Sequence, residues 1–385
     1  MKIQRKNILI VGLSSVQHTS NNTWITKTSI AEYINELAQQ FDECTWITYV
    51  SSEMPSLQGN INSNLVKVVP LQSHQKALFN WLRLIAYLRH RPYVILYFPA
   101  FLSLVPILPL IHQLSRGMVV YLGNDYEQSL LQANGKWLGW SVLYRFSTEY
   151  TLKIASVVIA RGKYLADRVR KFNQNVVETV PLGHLNLRSK TYAPDSSVSC
   201  VKRVLYLGQV LWRKGLKDLF LAMQLVVHNY PEVTIVLDVV GDGADRQATE
   251  IFVQNMKFNE YIKFHGWVDA KEKLSAFFQE TDVLVVPSSS YPEGVPRVID
   301  EALSQGVPVI ATRVGGITKE FTDEEIMLID PNSPQQIAVA IAAILFDTKT
   351  RERYITNAQR RLELWTKYGS AAQQHKRILL REREN

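Results

Sequence analysis

Cysteine is scarce in this sequence of 385 residues, and the two that occur, Cys44 and Cys200, are far apart. Their spacing matches no zinc or redox motif, which excludes chemistry that depends on paired thiolates. Unpatterned cysteines are typical of a protein from a reducing cytoplasm. No run reaches the ~20 consecutive apolar residues that cross a bilayer. The longest candidate, residues 101–114, is shorter and contains two prolines.

Several other signals are missing as well. Residues 1–17 lead directly into a strand-like segment without a cleavage site, so we expect no secretory signal and a cytoplasmic protein. No Asp-x-Asp pair offers a cation site, which predicts that the protein needs no metal and no other cofactor. Neither a recognition motif nor a dense basic run indicates nucleic acid as a partner.

The length predicts two domains, and an apolar fraction of 46% is ordinary for a globular chain. Charge is divided unequally between the two halves. Residues 1–200 contain 20 Lys or Arg against 11 Asp or Glu, whereas residues 201–385 contain 23 against 24. The basic first half predicts an anionic partner, and an anionic membrane surface or a lipid-phosphate acceptor fits better than nucleic acid.

Strand-like and helix-like segments alternate along the chain. Apolar runs of strand length begin near residues 7, 44, 65, 93, 118, 156 and 176, and again near residues 203, 233, 261, 282 and 308. Helical patterns separate them, at 26–40, 76–91, 137–155, 216–229, 270–279, 296–305 and 334–346. The polar residues 183–200 predict a linker. The alternation predicts an α/β protein with two doubly wound, mostly parallel sheets.

Two glutamates bracket the most informative segment, which follows the strand-like run 283–287. Glu293 is predicted in a loop and Glu301 inside the helix that follows. The amide groups at a helix N-terminus attract anions. Carboxylates beside such an anion site suit a ligand with both phosphates and hydroxyls, such as a nucleotide sugar. Taken alone, the spacing also fits two solvated glutamates.

The full run VLVVPSSSYPEGVPRVIDEALSQGVPVIATRVGG, residues 283–316, resembles the nucleotide-sugar segment of the retaining glycosyltransferase family 4. The resemblance implies the GT-B fold, with two Rossmann-like domains facing across a cleft. It implies an acceptor-binding domain at 1–190, a nucleotide-sugar-binding domain at 191–365, and a helix in 366–385 that crosses back to the first domain.

The resemblance also implies roles for single residues. Glu293 contacts the transferred sugar, the backbone of Gly294, Val295 and Pro296 approaches sugar and phosphate, and Glu301 accepts both ribose hydroxyls. A carboxylate suits a vicinal diol because it accepts two hydrogen bonds.

Residues 205–223 follow the first strand of the second domain, and Lys214 falls on the family lysine that holds the diphosphate. Gln209 falls where the family has an arginine, and glutamine donates hydrogen bonds without charge. Arg213 is the candidate to compensate. A surface loop with solvated charges is the alternative for this segment.

Three further positions match the family's nucleotide pocket. Gly241 ends a strand in the turn 239–248, and Trp267 and Val268 follow a strand at the place where relatives contact the base with backbone groups. The alternatives are a plain strand-to-helix turn at Gly241 and a core tryptophan at Trp267.

The first domain offers fewer signals. Asn124, with Asp125 beside it, follows the strand at 118–122, where many relatives carry an active-site histidine. Polar residues in 14–24 are predicted to cap the helix that follows. The helix at 76–91 is predicted to pack in the domain with a narrow solvent stripe, and an interfacial membrane helix is the alternative.

The resemblance implies a retaining transfer of a sugar from a nucleoside diphosphate, and a glycan or lipid-linked saccharide is the expected acceptor. The missing cation site predicts that the transfer is metal-independent. Glu293, Lys214 and Asn124 are the candidate catalytic residues. Synthesis of a cell-surface polysaccharide or glycolipid at the inner membrane face is the expected setting. A sugar-nucleotide epimerase and a non-catalytic protein that binds sugar nucleotides are the alternatives.

Overall fold

The chain forms two compact units in the computed structural model. Unit 1 comprises Met1–His184 and Tyr368–Asn385, and unit 2 comprises Leu185–Lys367. The structure describes residues 6–12, 14–19, 23–51, 58–71, 77–98, 102–123, 138–179, 201–268, 271–289, 295–367 and 370–381.

The strands occur in chain order as follows: β1 Asn7–Val11, β2 Gln17–His18, β3 Trp24–Lys27, β4 Glu43–Tyr49, β5 Gln58–Asn60, β6 Val66–Leu71, β7 Tyr93–Phe98, β8 Gly117–Leu122, β9 Val157–Arg161, β10 Val176–Thr179, β11 Val201–Leu207, β12 Thr234–Val240, β13 Ile262–Gly266, β14 Val283–Val286, β15 Val309–Thr312 and β16 Met327–Ile329.

The α-helices are α1 Thr28–Ala38, α2 Ala77–Leu88, α3 Leu108–Leu114, α4 Leu138–Ile154, α5 Gly162–Val169, α6 Leu216–Asn229, α7 Arg246–Asn255, α8 Lys271–Glu280, α9 Arg297–Ser304, α10 Ile317–Glu320, α11 Pro334–Phe346, α12 Thr348–Lys367 and α13 Ala371–Arg381. Short 3₁₀ helices at Leu102–Ile107 and Trp212–Lys214 precede α3 and α6.

Unit 1 is built on a parallel sheet of seven strands in the order β10-β9-β8-β7-β1-β4-β6. Its strands are nearly continuous apolar runs, as expected for a parallel sheet that helices cover on both faces. One face packs against α1 and α13, around fully buried side chains such as Tyr33 and Trp46.

The C-terminal helix α13 is fixed in unit 1 by a buried polar network. Tyr33 Oη lies 2.7 Å from His375 Nδ1, and Thr179 Oγ1 donates to Gln374 Oε1 at 3.0 Å. Burial lowers the pKa of His375 to about 3, because the interior disfavours the charged imidazolium. The histidine therefore stays neutral, and the helix packs as part of the first domain's core.

Unit 2 contains a parallel sheet of six strands in the order β13-β12-β11-β14-β15-β16. Alternate residues of each strand point to opposite faces. Val204 and Tyr206 accordingly join the core beneath α6 and α11, whereas Leu205 joins the core beneath α9.

Residues 14–24 and the strand β16 are among the parts of the chain that differ from the prediction. The polar residues of 14–24 do not cap α1: they contribute to β2 and β3, which form a small antiparallel sheet with β5, and Lys27 precedes α1 without a side-chain cap. The strand β16 was not predicted, because three residues are too short a run to show a period. The predicted linker at 183–200 lies outside the described residues.

Candidate functional site

The order of strands in unit 2 defines where a ligand binds. From β11 the chain runs outward through β12 and β13, then returns to place β14 on the other side of β11. In open α/β sheets, ligands bind beyond the carboxyl ends of the strands at this reversal, because the loops diverge there and leave a crevice. The place beyond β11 and β14 is therefore the candidate site.

A cavity of about 250 Å³ lies at this reversal. Its lining comes from the end of β11 and the loop after it, from the end of β14, and from the start of α9. The lining residues are Tyr206, Leu207, Gly208, Gln209, Lys214, Val285, Val286, Ser288, Pro296, Arg297 and Val298.

The loop after β11 is held against the end of β14 by a glycine. Gly215 has a φ of +78°, and a Cβ there would lie 1.7 Å from the carbonyl oxygen of Pro287. Ser289 strengthens this junction, since its amide and its hydroxyl both donate to the carbonyl of Arg213, at 3.2 and 3.0 Å. The close approach places Lys214 in the cavity wall.

A second glycine brings the loops after β11 and β12 together. Gly241 has a φ of +136°, and a Cβ there would lie 1.8 Å from the carbonyl oxygen of Gly208. Its amide donates to the carbonyl of Gly266 at 2.8 Å. Gly241 thus supports the floor of the cavity, which Gly208 lines.

The helix α9 points its N-terminus at the cavity. Pro296 precedes the helix, no side chain caps it, and Arg297 and Val298 of its first turn line the cavity. Uncapped amides and the helix dipole favour an anion at this end. The wall of the cavity therefore combines a lysine, an arginine and a helix N-terminus, which suits a phosphate group.

The predicted donor-binding residues fall into three groups. Gln209, Lys214 and Pro296 line the cavity. Val295, Arg213 and Gly241 are neighbours that do not line it: Val295 packs on the core beneath α9, Arg213 is exposed, and Gly241 supports Gly208.

The third group lies further from the cavity lining. Glu301 is half-buried in the second turn of α9. Trp267 follows β13 with 63% of its surface exposed, so it is not the core tryptophan of the alternative interpretation. Val268 is partly buried against the core beneath α9. Glu293, Gly294 and Asn124 lie outside the described residues, so their predicted roles stay predictions.

Eight lining residues were not among the predicted donor-binding residues, and three of the eight have polar side chains: Tyr206, Ser288 and Arg297. The Tyr206 hydroxyl donates to the carbonyl of Gln209 at 2.6 Å, which fixes the loop after β11. Ser288 is buried, and its carbonyl accepts from Thr312 Oγ1 at 2.7 Å. Tyr206 and Ser288 could have been predicted from the sequence, because they lie at the ends of β11 and β14.

A buried carboxylate lies on the strand next to the cavity. Asp238 of β12 is 2% exposed; its Oδ2 accepts from Arg203 at 2.9 Å and its Oδ1 lies 2.7 Å from His265 Nε2. Burial of a carboxylate is costly unless charged or hydrogen-bonding partners surround it. Since His265 directly precedes Gly266 and Trp267, this network also fixes the end of β13.

The described residues lack two further features. No group of three His, Cys, Asp or Glu side chains in this part of the chain is placed to hold a metal ion. No described helix is both long enough and apolar enough to cross a membrane.

A known family model matches residues within the second unit. Residues 198–361 match the model of the family glycosyl transferases group 1. The D-inositol 3-phosphate glycosyltransferase of Paenarthrobacter aurescens is 28% identical over 152 residues, or 39% of this chain and 36% of that protein. The putative teichuronic acid biosynthesis glycosyltransferase TuaC of Bacillus subtilis is 29% identical over 199 residues, or 49% of this chain and 46% of that protein. The matches span between about a third and a half of the length of these relatives.

Known structures match nearly the whole chain. The crystal structure of Anabaena HepE in complex with UDP matches with a TM-score of 0.67 at 15% identity, covering 97% of this chain and 99% of that one. With its two parallel α/β sheets, the chain has the GT-B fold. The residues that match the group 1 family model, 198–361, lie within unit 2 of that fold.

Proposed function

We propose that this protein is a retaining glycosyltransferase that moves a sugar from a nucleoside diphosphate to a hydroxyl of a glycan or lipid-linked saccharide. The observation that carries the proposal is the cavity at the strand reversal of unit 2, where Lys214, Gln209 and the start of α9 meet. Its cationic and amide-rich wall suits a diphosphate. The family match over the same residues supports a nucleotide sugar as the ligand.

In the proposed reaction the bond between the anomeric carbon and the diphosphate oxygen breaks. A bond from that carbon to the acceptor oxygen forms on the same face of the sugar, and the acceptor's proton passes to the departing diphosphate oxygen. The products are the glycoside and the nucleoside diphosphate. Positioning and charge stabilisation supply the catalysis, and neither a protein base nor a metal ion takes part.

Six of the predicted residues have a defined role in this scheme. Lys214 stabilises the charge that develops on the departing diphosphate, and the amides of the first turn of α9 add donors. Glu301 holds the ribose, and Trp267 with Val268 borders the base. Glu293 and Asn124 orient the sugar, as the sequence predicts.

The acceptor belongs to cell-surface polysaccharide or glycolipid synthesis in this proposal. The relatives that support it are named for teichuronic acid biosynthesis and for glycosylation of D-inositol 3-phosphate. Both acceptor types are polar and anionic, which agrees with the basic first half of the chain.

The first experiment is a thermal-shift screen of the purified protein with UDP, GDP, ADP and dTDP, each beside its nucleoside. A ligand that binds only the folded state stabilises it by about 2.7 kcal/mol at a hundred times its Kd. We expect one diphosphate to raise Tm clearly, and Lys214→Ala to abolish most of that rise. The exposed Lys217→Ala is the matched control, since Lys217 does not line the cavity.

The second experiment incubates the matching nucleotide sugar with the enzyme and follows release of the nucleoside diphosphate. Slow hydrolysis without acceptor, lost in Lys214→Ala, supports transfer chemistry. Conversion of the donor to an epimer with the diphosphate intact favours the epimerase alternative. Binding without any turnover, even with a mixture of lipid-linked saccharides, favours the non-catalytic alternative.

A further inference from the structure

The cavity lacks the arginine that the family resemblance places after β11. Gln209 occupies that position and lines the cavity, so Lys214 is the only cationic side chain that the loop after β11 adds to the described lining. A nucleoside diphosphate gains negative charge as the sugar departs, and a single lysine is a weak counter-charge for it. The residue that supplies the second charge must therefore come from another element.

Arg297 is the cation that meets this requirement. It is the first residue of α9 and lines the same cavity as Gln209 and Lys214. No hydrogen bond or ion pair to any described residue engages its side chain. A positive side chain in the first turn of a helix is unfavourable to the helix dipole, unless an anion binds there. Its position therefore indicates an anionic ligand.

Arg213 fits the requirement less well. It is exposed and does not line the cavity, and its backbone carbonyl is fixed by the two hydrogen bonds from Ser289. Arg213 and Arg297 therefore form a natural pair for comparison, because both are exposed arginines beside the cavity and only one lines it.

We propose that Arg297 binds the diphosphate of the donor and replaces the arginine that Gln209 lacks. The inference rests on the proposed function, because it assigns a residue to the donor site of that reaction. A guanidinium binds phosphate oxygens through two parallel hydrogen bonds and carries a positive charge. The side-chain amide of glutamine donates hydrogen bonds but has no charge.

The test compares the binding of UDP, GDP, ADP and dTDP with that of their nucleosides by isothermal titration. We expect Arg297→Ala to weaken the affinity for the nucleoside diphosphate by about 10- to 100-fold and to leave the affinity for the nucleoside unchanged. Arg213→Ala should change neither. Adding Gln209→Arg to Arg297→Ala should restore most of the diphosphate affinity, since it returns the charge to the same cavity.

Each other outcome overturns the inference in a distinct way. Unchanged diphosphate affinity in Arg297→Ala, or an equal loss in Arg213→Ala, refutes the role of Arg297 while the proposed function stands. An equal loss of nucleoside and diphosphate affinity in Arg297→Ala, with thermal unfolding unchanged, also refutes it, because the arginine then does not act on the phosphates. If no diphosphate binds the unaltered protein, the proposed function fails together with the inference.

A second and independent observation concerns unit 1, where a long stretch has no acidic residue. No Asp or Glu lies between Glu53 and Asp125, whereas six Lys or Arg do. The described part of this stretch forms β6, α2, β7, the segment 102–114 and β8. Its surface therefore carries positive charge that no acidic residue of the same stretch offsets.

The helices of this stretch form a layer with α4. The segment 102–114 contacts both α2 and α4. Their buried residues, such as Leu84, Ile111 and Leu152, are absent from the core beneath α1 and α13. The three elements therefore cover the other face of the sheet, and we name α2, 102–114 and α4 the outer helix layer.

Apolar and basic side chains share the solvent side of the outer helix layer. Leu82 of α2 is 59% exposed and Phe146 of α4 is 67% exposed. Arg89 and Arg91 are exposed at the end of α2, and Lys153 is exposed on α4. The described acidic residue of α4, Glu149, is paired with Arg145 at 3.1 Å.

We infer that the outer helix layer docks on an anionic lipid bilayer. Large apolar side chains that enter the headgroup region and basic side chains at the lipid phosphates are the two signals that peripheral binding needs. Leu82 and Phe146 supply the first, and Arg89, Arg91 and Lys153 the second.

Vesicle co-sedimentation tests this docking without any need for activity. We expect the protein to sediment with vesicles of phosphatidylglycerol and to stay in solution with phosphatidylcholine. Arg89→Gln with Arg91→Gln should weaken binding by about 10-fold or more, at roughly one kcal/mol per charge. Leu82→Ser with Phe146→Ser should weaken it as well, with the circular dichroism spectrum unchanged.

Matched controls come from unit 2. Val339, 71% exposed, is replaced by Ser, and the exposed Lys217 and Lys257 are replaced by Gln; these variants should bind like the unaltered protein. The inference is refuted by absence of binding to both vesicles, by equal binding to both, or by an equal loss in the controls.

Discussion

Replacing Gly208 by alanine should weaken ligand binding at the cavity of unit 2 and leave the stability of the fold almost unchanged. A Cβ at this position would meet nothing closer than the hydroxyl of Tyr206, at 3.5 Å, which is an ordinary contact. The backbone is not in the left-handed region, so alanine adds no strain. We expect the free energy of unfolding to change by less than about 0.5 kcal/mol.

The same methyl group should impair binding, because Gly208 lines the cavity. Forcing one methyl group into a packed contact costs about 1–3 kcal/mol. This corresponds to a loss of about 5- to 150-fold in affinity for the nucleoside diphosphate, since 1.4 kcal/mol is a factor of ten. Isothermal titration measures the affinity, and urea unfolding measures the stability.

Gly241→Ala is the matched control for folding. Its φ of +136° and the distance of 1.8 Å from its Cβ position to the carbonyl of Gly208 combine strain with a direct clash. We expect a loss of at least about 3 kcal/mol of stability. The reasoning is refuted if Gly208→Ala is as unstable as Gly241→Ala, or if it is stable and binds the diphosphate like the unaltered protein.

Two further predictions concern buried polar groups. Asp238→Ala should lower the free energy of unfolding of unit 2 by about 2–3 kcal/mol, because Arg203 and His265 lose their shared acceptor. Urea unfolding measures this loss, and Asp323→Ala at an exposed position should cost much less. Burial lowers the pKa of His375 to about 3, so between pH 6.5 and pH 3 the unfolded state binds a proton that the folded state does not. The contribution of the buried His375 to the stability of unit 1 is therefore present above pH 6.5 and is lost as the pH falls towards 3. Unfolding free energies between pH 7 and pH 4 should fall less steeply in His375→Gln than in the unaltered protein, and an identical slope would contradict the buried neutral histidine.

The strands of both large sheets, except β16, followed from the sequence because they are continuous apolar runs. β7, for example, was expected at 93–98 and forms Tyr93–Phe98. The small sheet of β2, β3 and β5 did not follow, because strands of two to four partly polar residues carry no period that distinguishes them from a loop. Lys27 likewise precedes α1 where a polar cap was expected.

The candidate site followed from the sequence in part. The resemblance brought Gln209, Lys214 and Pro296 to one donor site, and the structure places all three in the lining of one cavity. Arg297 could not be ranked above Arg213 from the sequence. Both are arginines beside a glycine- or proline-containing loop, and the structure places only Arg297 in the lining of the cavity.

A crystal structure of the protein with its nucleoside diphosphate tests the central claim most directly. We predict the diphosphate beyond the ends of β11 and β14, with a phosphate oxygen about 2.7–2.9 Å from Lys214 Nζ and another against the first turn of α9. A nucleotide bound elsewhere in the chain, with this cavity filled by water, would contradict the account.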